Sequence, residues 1–83
     1  MPRFEATVTV VLKPDILDPA GEATAHVLQH LGYAVEDLRI GRHIHLSLEA
    51  DDRAQAEKLT REMAEELLAH PIMETYQVSV HTS

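Results

Sequence analysis

Eighty-three residues with 14 acidic and 7 basic side chains, a net charge of −7 and 45% hydrophobic content make one acidic globular domain, residues 1–83. The absence of cysteine excludes disulfides, thiol chemistry and Cys-ligated metal, and the lack of clustered Lys/Arg argues against nucleic acid or anionic membrane as partners. No apolar run approaches the ~20 residues of a membrane span, and Met1-Pro2-Arg3-Phe4-Glu5 lacks the layout of a secretory signal, so the cytoplasm is the expected address.

Residues 4–13 alternate. Phe4, Ala6, Val8, Val10 and Leu12 share one side, and Glu5, Thr7, Thr9, Val11 and Lys13 the other, which predicts a half-buried strand ended by Pro14. Asp18-Pro19 reads as N-cap and first helical residue. Ala20, Ala23, Val27, Leu28 and Leu31 then recur at helical spacing, and Gly32 suits the left-handed position past the helix end. The first helix is expected over residues 19–31. Gly21 inside its first turn costs about 0.5–1 kcal/mol relative to alanine, which suggests close approach of another backbone or a ligand.

Val35–Ile40 and His43–Ala50 are the next strand candidates, separated by Gly41-Arg42, a spacing that fits a type II′ hairpin turn. In the second, Ile44, Leu46, Leu48 and Ala50 face in, and His43, His45, Ser47 and Glu49 face out. Asp52-Arg53-Ala54-Gln55 resembles a capping box. A second helix then runs to about Ala69, with Ala56, Leu59, Met63 and Leu67 as inner stripe, widened by Ala64 and Leu68, and Pro71 as its stop. Tyr76, Val78 and Val80 alternate with Gln77, Ser79 and His81 in a last strand.

The order is β-α-β-β-α-β. The expected fold is an α+β two-layer sandwich of the ferredoxin-like type, with two helices on one face of a four-stranded antiparallel sheet. The other face carries Thr7, Thr9, Val11, His43, His45, Ser47, Gln77, Ser79 and His81 and few charges, which suggests cover by a second subunit. A core this small buries only about 60–65% of the unfolded chain's surface, and oligomerisation is a natural supplement.

No catalytic constellation is visible. There is no Gly-x-Ser-x-Gly elbow and no glycine-rich phosphate loop, with Gly21, Gly32 and Gly41 the only glycines. Phe4, Tyr33 and Tyr76 are the only aromatics, and two of them fall on the inward pattern, unlike the stacking platform of an RNA-reading sheet. The loop after the first strand lacks the glycines and arginines of an acylphosphatase. His43 and His45 at i, i+2 point to one side of a strand and could chelate a metal with His81 or Glu49, although polar filling of an outward face is the commoner use of such residues. His26 and His30 on the first helix read as exposed, and His70 as a helix-end cation.

The segment Leu12–Gly21, with Ile16 and Leu17 apolar in a connector, and the tip Leu38-Arg39-Ile40-Gly41-Arg42 are the two stretches that structure alone underexplains. Together with Leu31-Gly32-Tyr33 they resemble the PurS family. The pattern is Val-x-Leu-Lys at Val10–Lys13, Ile-Leu-Asp-Pro-x-Gly at Ile16–Gly21, Leu-Gly-Tyr, and Val-x-x-Leu-Arg-Ile-Gly plus a basic residue at Val35–Arg42. The resemblance covers the whole chain in length and element order. It implies the small subunit of phosphoribosylformylglycinamidine (FGAM) synthase, a partner of the synthetase PurL and the glutaminase PurQ. Such a subunit forms dimers or tetramers, is needed for assembly and helps deliver ammonia in purine biosynthesis.

The resemblance implies no catalytic residue, metal or cofactor on this chain, with ATP and Mg on the synthetase. It points to Lys13, Asp18, Pro19, Gly21, Arg39, Gly41 and Arg42 as partner-interface residues. Lys13, Arg39 and Arg42 are three of the seven basic residues, and charge reversal at either arginine is expected to weaken assembly without unfolding the chain. After Gly41 the family usually carries Lys, an aromatic and a strand with Glu. Here Arg42-His43-Ile44-His45-Leu46 stands instead, and no role is carried over to His43 or His45. The alternatives are an ACT-like small-molecule-binding domain of the same element order, and a His-based metal module.

Overall fold

The computed structural model describes residues 1–82. Strand β1 (Arg3–Leu12) is the middle of a three-stranded antiparallel sheet, with β2 (Arg42–Glu49) on one side and β3 (Glu74–Thr82) on the other. The alternation of β1 is the reason it takes the centre. Ala6, Val8 and Val10 are fully buried on one face, and Val8 lies opposite both Ile44 and Val78. Thr7 on the other face lies between His45 and Ser79.

Helix α1 (Pro19–His30) follows β1, and α2 (Arg53–Met63) follows β2. The expected capping of α2 is present. Asp52 Oδ1 accepts from the Gln55 amide at 2.8 Å, and Gln55 Oε1 accepts from the Asp51 amide at 2.6 Å. Past Met63 the helix widens into a π-turn over Ala64–Leu68, closed by the Ala69 amide on the Ala64 carbonyl at 2.9 Å. The extra residue in that turn rotates Leu67 out of the predicted inner stripe to 83% exposure, while Ala64 stays buried. α2 packs across β1 and β3, and Ala56, Thr60 and Ala64 lie against the strands. Thr60 is buried without penalty because its hydroxyl donates to the Ala56 carbonyl at 2.7 Å.

α1 ends as expected. Gly32 has φ +99°, its amide reaches the Gln29 carbonyl, and the Tyr33 amide reaches the Leu28 carbonyl, each at 3.0 Å.

Two expectations are corrected. The sheet has three strands, because Val35–Ile40 joins no ladder. Its backbone groups bond elsewhere: Gln29 Nε2 donates to the Val35 carbonyl at 2.8 Å, and the Ile40 amide donates to Asp18 Oδ2 at 2.8 Å. Gly41 forms no type II′ turn, which needs positive φ at that position; among the described residues only Gly32 has positive φ.

The second correction concerns α1, which does not lie on the sheet. Only Gly21 and Ala25 of this helix are buried, and its stripe residues Val27 and Leu31 are 59% and 68% exposed. A ten-residue strand spans about 33 Å and a twelve-residue helix about 18 Å. The long axis of 52 Å therefore matches sheet and α1 laid end to end. The radius of gyration is 16.2 Å, against about 12 Å for a compact domain of this length.

Candidate functional site

β1 ends, and β2 and β3 begin, at one end of the sheet: Val10 faces Arg42, and Leu12 faces Glu74. The connector 13–18 and the returning segment 38–42 meet there. Lys13 donates its amide to the Met73 carbonyl at 2.9 Å, and the Ile16 amide closes a turn on the Lys13 carbonyl at 2.9 Å. Pro14 ends the strand and Asp18 begins the helix, so the intervening residues have no ladder or helix of their own.

Asp18 and Arg39 fasten this end from opposite sides. The buried Asp18 carboxylate caps α1 by accepting from the Gly21 amide at 3.0 Å and holds the returning segment through the Ile40 amide at 2.8 Å. These backbone donors, Ile40 first and Gly21 second, hold its pKa below the ordinary value of 3.8; the Arg39 charge adds to them and burial opposes them. Arg39 sends Nη2 to the carbonyls of Lys13 at 2.7 Å, Ile16 at 3.0 Å and Leu12 at 3.4 Å. The guanidinium thus takes the place of ladder partners for the connector.

The glycines permit the close approach. A β-carbon on Gly21 would strike the Leu38 carbonyl oxygen, and one on Gly41 would strike that of Val10. The close contact anticipated at Gly21 is therefore internal, a backbone of the same chain. Pro19 occupies the first helical position as expected.

Arg42 is paired with Glu74 across the strands, Nη2 to Oε1 at 2.7 Å. Glu74 Oε1 also accepts from the His70 amide at 2.7 Å. That backbone bond, ahead of Arg42, lowers the Glu74 pKa below its ordinary 4.5 against the opposing effect of burial. Both arginines singled out from the sequence therefore bond within the chain. Among the described residues Lys13 has no carboxylate at ion-pair distance. Pro14, Asp15 and the 65%-exposed Leu17 stand out on the surface beside it. A hollow of about 400 Å³ lined by Val11, Leu12, Pro14, Asp37, Arg39 and Thr75 adjoins the same end.

Glu74 was missed in the sequence, and His70, read there as a helix-end cation, contributes its backbone amide to this site. Glu74 becomes visible only through the antiparallel register, which sets β3 beside β1 and brings Glu74 within reach of Arg42. The outward sheet face is assembled as anticipated. Thr9 Oγ1 lies 3.2 Å from His43 Nδ1, Ser47 donates to Glu5 Oε2 at 2.7 Å, and His45 Nε2 lies 3.6 Å from the same oxygen. Among the described residues no three His, Asp or Glu side chains form a group that could hold a metal, so His43 and His45 find hydroxyl and carboxylate neighbours in place of a third ligand.

A family model described as PurS, phosphoribosylformylglycinamidine (FGAM) synthase, matches residues 5–82. The phosphoribosylformylglycinamidine synthase subunit PurS of Synechocystis is 43% identical over 74 residues, 88% of this chain and 74% of that protein. The corresponding subunit of Thermotoga maritima is 37% identical over 79 residues, 94% and 96% of the two chains. Among solved structures, Thermus thermophilus PurS superposes with a TM-score of 0.89 at 37% identity, covering 99% of each chain. A chain in the structure of PurLQS from Thermotoga maritima superposes with a TM-score of 0.90 at 35% identity, covering 98% of this chain and 100% of that one.

Proposed function

Because this chain belongs to the PurS family, we propose that it is the small, non-catalytic subunit of FGAM synthase in purine biosynthesis, bridging a PurQ glutaminase and a PurL synthetase. In that role it assists passage of ammonia from glutamine to the formylglycinamide ribonucleotide, with ATP and Mg held by the synthetase. The observation that carries this reading is the near-complete superposition on a chain of PurLQS. The geometry supports it. Two stretches of the family pattern, Val10–Gly21 and Leu38–Arg42, meet at one fastened end of the sheet, while Leu31-Gly32-Tyr33 closes the far end of α1.

Within that end, Asp18, Pro19, Gly21, Arg39 and Gly41 shape the surface from inside, and Lys13 and Arg42 present charge on it. Lys13, next to the exposed Leu17, suits a partner surface combining a carboxylate with an apolar pocket. No helix among the described residues is long and apolar enough to cross a membrane, which suits a cytoplasmic complex. The small core and the exposed apolar stripe of α1 support self-association as a dimer or tetramer.

Glutamine-dependent turnover by PurL and PurQ, measured with and without this chain, tests the reading. Turnover is expected to require the chain, and the chain alone is expected to turn over nothing. Full glutamine-dependent rate in its absence would overturn the proposal.

A further inference from the structure

β3 is entered through a single turn over residues 71–73, closed by the Glu74 amide on the His70 carbonyl at 2.9 Å. Its cap is a histidine. His70 Nδ1 accepts from the Ile72 amide at 3.3 Å and from the Met73 amide at 3.2 Å. Pro71 stands first in the turn, where no amide hydrogen is needed. Glu74 Oε1 reaches back to accept from the His70 amide at 2.7 Å. The arrangement is a capping box in which an imidazole replaces the usual hydroxyl or carboxylate. A hydroxyl or an amide oxygen accepts at any pH, whereas an imidazole accepts only through an unprotonated nitrogen. The closed turn therefore requires the neutral ring with its proton on Nε2. Both nitrogens of an imidazolium donate, and it has nothing to offer the two amides.

The ring also borders a hollow of about 250 Å³, lined in part by Ala64, Glu65, Ala69, Glu74 and Tyr76. The titratable and charged groups around it come from three elements. The π-turn supplies Glu65, whose Oε1 accepts from the Tyr76 hydroxyl at 2.6 Å. β3 supplies Glu74 and Tyr76, and β2 supplies Arg42, paired with Glu74. Two carboxylates against one guanidinium favour a further cation there. Amides hold the neutral ring and carboxylates attract the charged one, so a single proton selects between two resting places.

We infer that His70 is a pH-sensitive cap: neutral, it holds the turn at residues 71–73 closed, and protonated, it releases the Ile72 and Met73 amides and swings toward Glu65 and Glu74. The consequence reaches the fastened end of the sheet. The Met73 carbonyl accepts from the Lys13 amide, and the Lys13 carbonyl in turn accepts from the Ile16 amide and from Arg39. Opening the turn frees one anchor of the connector that carries Lys13 and Leu17. Histidine is the side chain whose charge changes near neutral pH. Docking at this end is therefore strongest with the ring neutral and weakens on mild acidification. The effect on docking rests on the assembly role proposed above; the cap itself does not.

Nitrogen-15 NMR of the isolated chain between about pH 8 and about pH 5.5, across the range in which histidines titrate, tests the cap. At the upper end the His70 ring is expected as the Nε2–H tautomer. On acidification the Ile72, Met73 and Lys13 amide shifts are expected to move with the midpoint of the His70 ring. Protection of the Met73 amide, corrected for intrinsic exchange, is expected to fall roughly fivefold, the usual worth of a helix cap. His70→Asn supplies an acceptor that does not titrate and is expected to keep the turn closed at both pH values. His70→Ala is expected to leave it open at both. Amide shifts that do not follow the His70 midpoint, or the same pH response in His70→Asn, would overturn the cap. Co-purification with PurL and PurQ at the two pH values tests the coupling, with His70→Asn as the reference that cancels the titration of every other group. Wild type is expected to lose roughly fivefold more binding on acidification than His70→Asn, and equal losses would overturn the coupling. A chain that binds neither PurL nor PurQ at any pH would overturn the assembly role and leave the cap, measured without partners, standing.

Discussion

Gly21 and Gly41 sit where the backbone of a neighbouring segment leaves room for a hydrogen only. Gly21→Ala adds helix propensity worth about 1 kcal/mol, but its β-carbon meets a main-chain oxygen that cannot rotate away. Net destabilisation of about 1–3 kcal/mol is expected for Gly21→Ala and for Gly41→Ala, measured by the urea midpoint. Asp18 and Glu74 make an acid prediction. Both carboxyls have folded pKa values below their ordinary 3.8 and 4.5, so the stability they contribute is complete above those ordinary values. It is lost as pH falls through the lowered folded values. The thermal midpoint should therefore drop on acidification below about pH 4.5, and Asp18→Asn should show a shallower drop from a lower starting point. Arg39→Ala should loosen residues 13–18, read as faster amide exchange at Ile16, because three carbonyl acceptors lose their donor. Asp18 as cap and Gly21 as a contact point were legible in the sequence. The role of Arg39 was not: its acceptors lie 23 to 27 residues away, and no local pattern encodes that separation.

Among the elements, β1 and α2 followed their periodicity, and residues 35–40 and α1 did not. β1 is held by ladders on both sides, and its alternation is regular. Val10→Ala, at a fully buried position, should cost about 2 kcal/mol through lost transfer energy and the cavity left behind. The π-turn is the exception within α2. A strict 3.6-residue period assigns Leu67 to the core, but one wide turn places it in solvent. Leu67→Gln should accordingly change stability by less than about 0.5 kcal/mol, whereas a regular α-helix would make that substitution damaging. Residues 35–40 carry a weaker alternation, and hydrogen bonds to Gln29 and Asp18 draw them toward α1.

The molecule as a whole is extended, 52 × 26 × 14 Å, with one helix on its sheet and one beyond it. A single chain of this shape leaves apolar surface that association would cover, so its thermal midpoint should rise with protein concentration. Two stretches of the family pattern, Val10–Gly21 and Leu38–Arg42, meet at the fastened end of the sheet, and the proposed partner contacts are expected of surface side chains there. Lys13→Glu should weaken co-purification with PurL and PurQ while leaving the thermal midpoint within a degree or two of wild type. Arg39→Glu should lower both, because that side chain fastens the loop as well.

The sequence by itself determined the inward and outward faces of three strands, both helix starts, the left-handed turn at Gly32 and the kinship with PurS. Each of these depends on neighbours within a few residues, or on a pattern of residue types. Only the tertiary structure decided that Val35–Ile40 stays out of the sheet, that α1 stands beyond it, and that Arg39, Asp18 and Glu74 fasten distant segments together. Those outcomes are set by competition between near-equal partners for the same backbone groups and apolar stripes, and that competition is resolved only when the whole chain is placed in space.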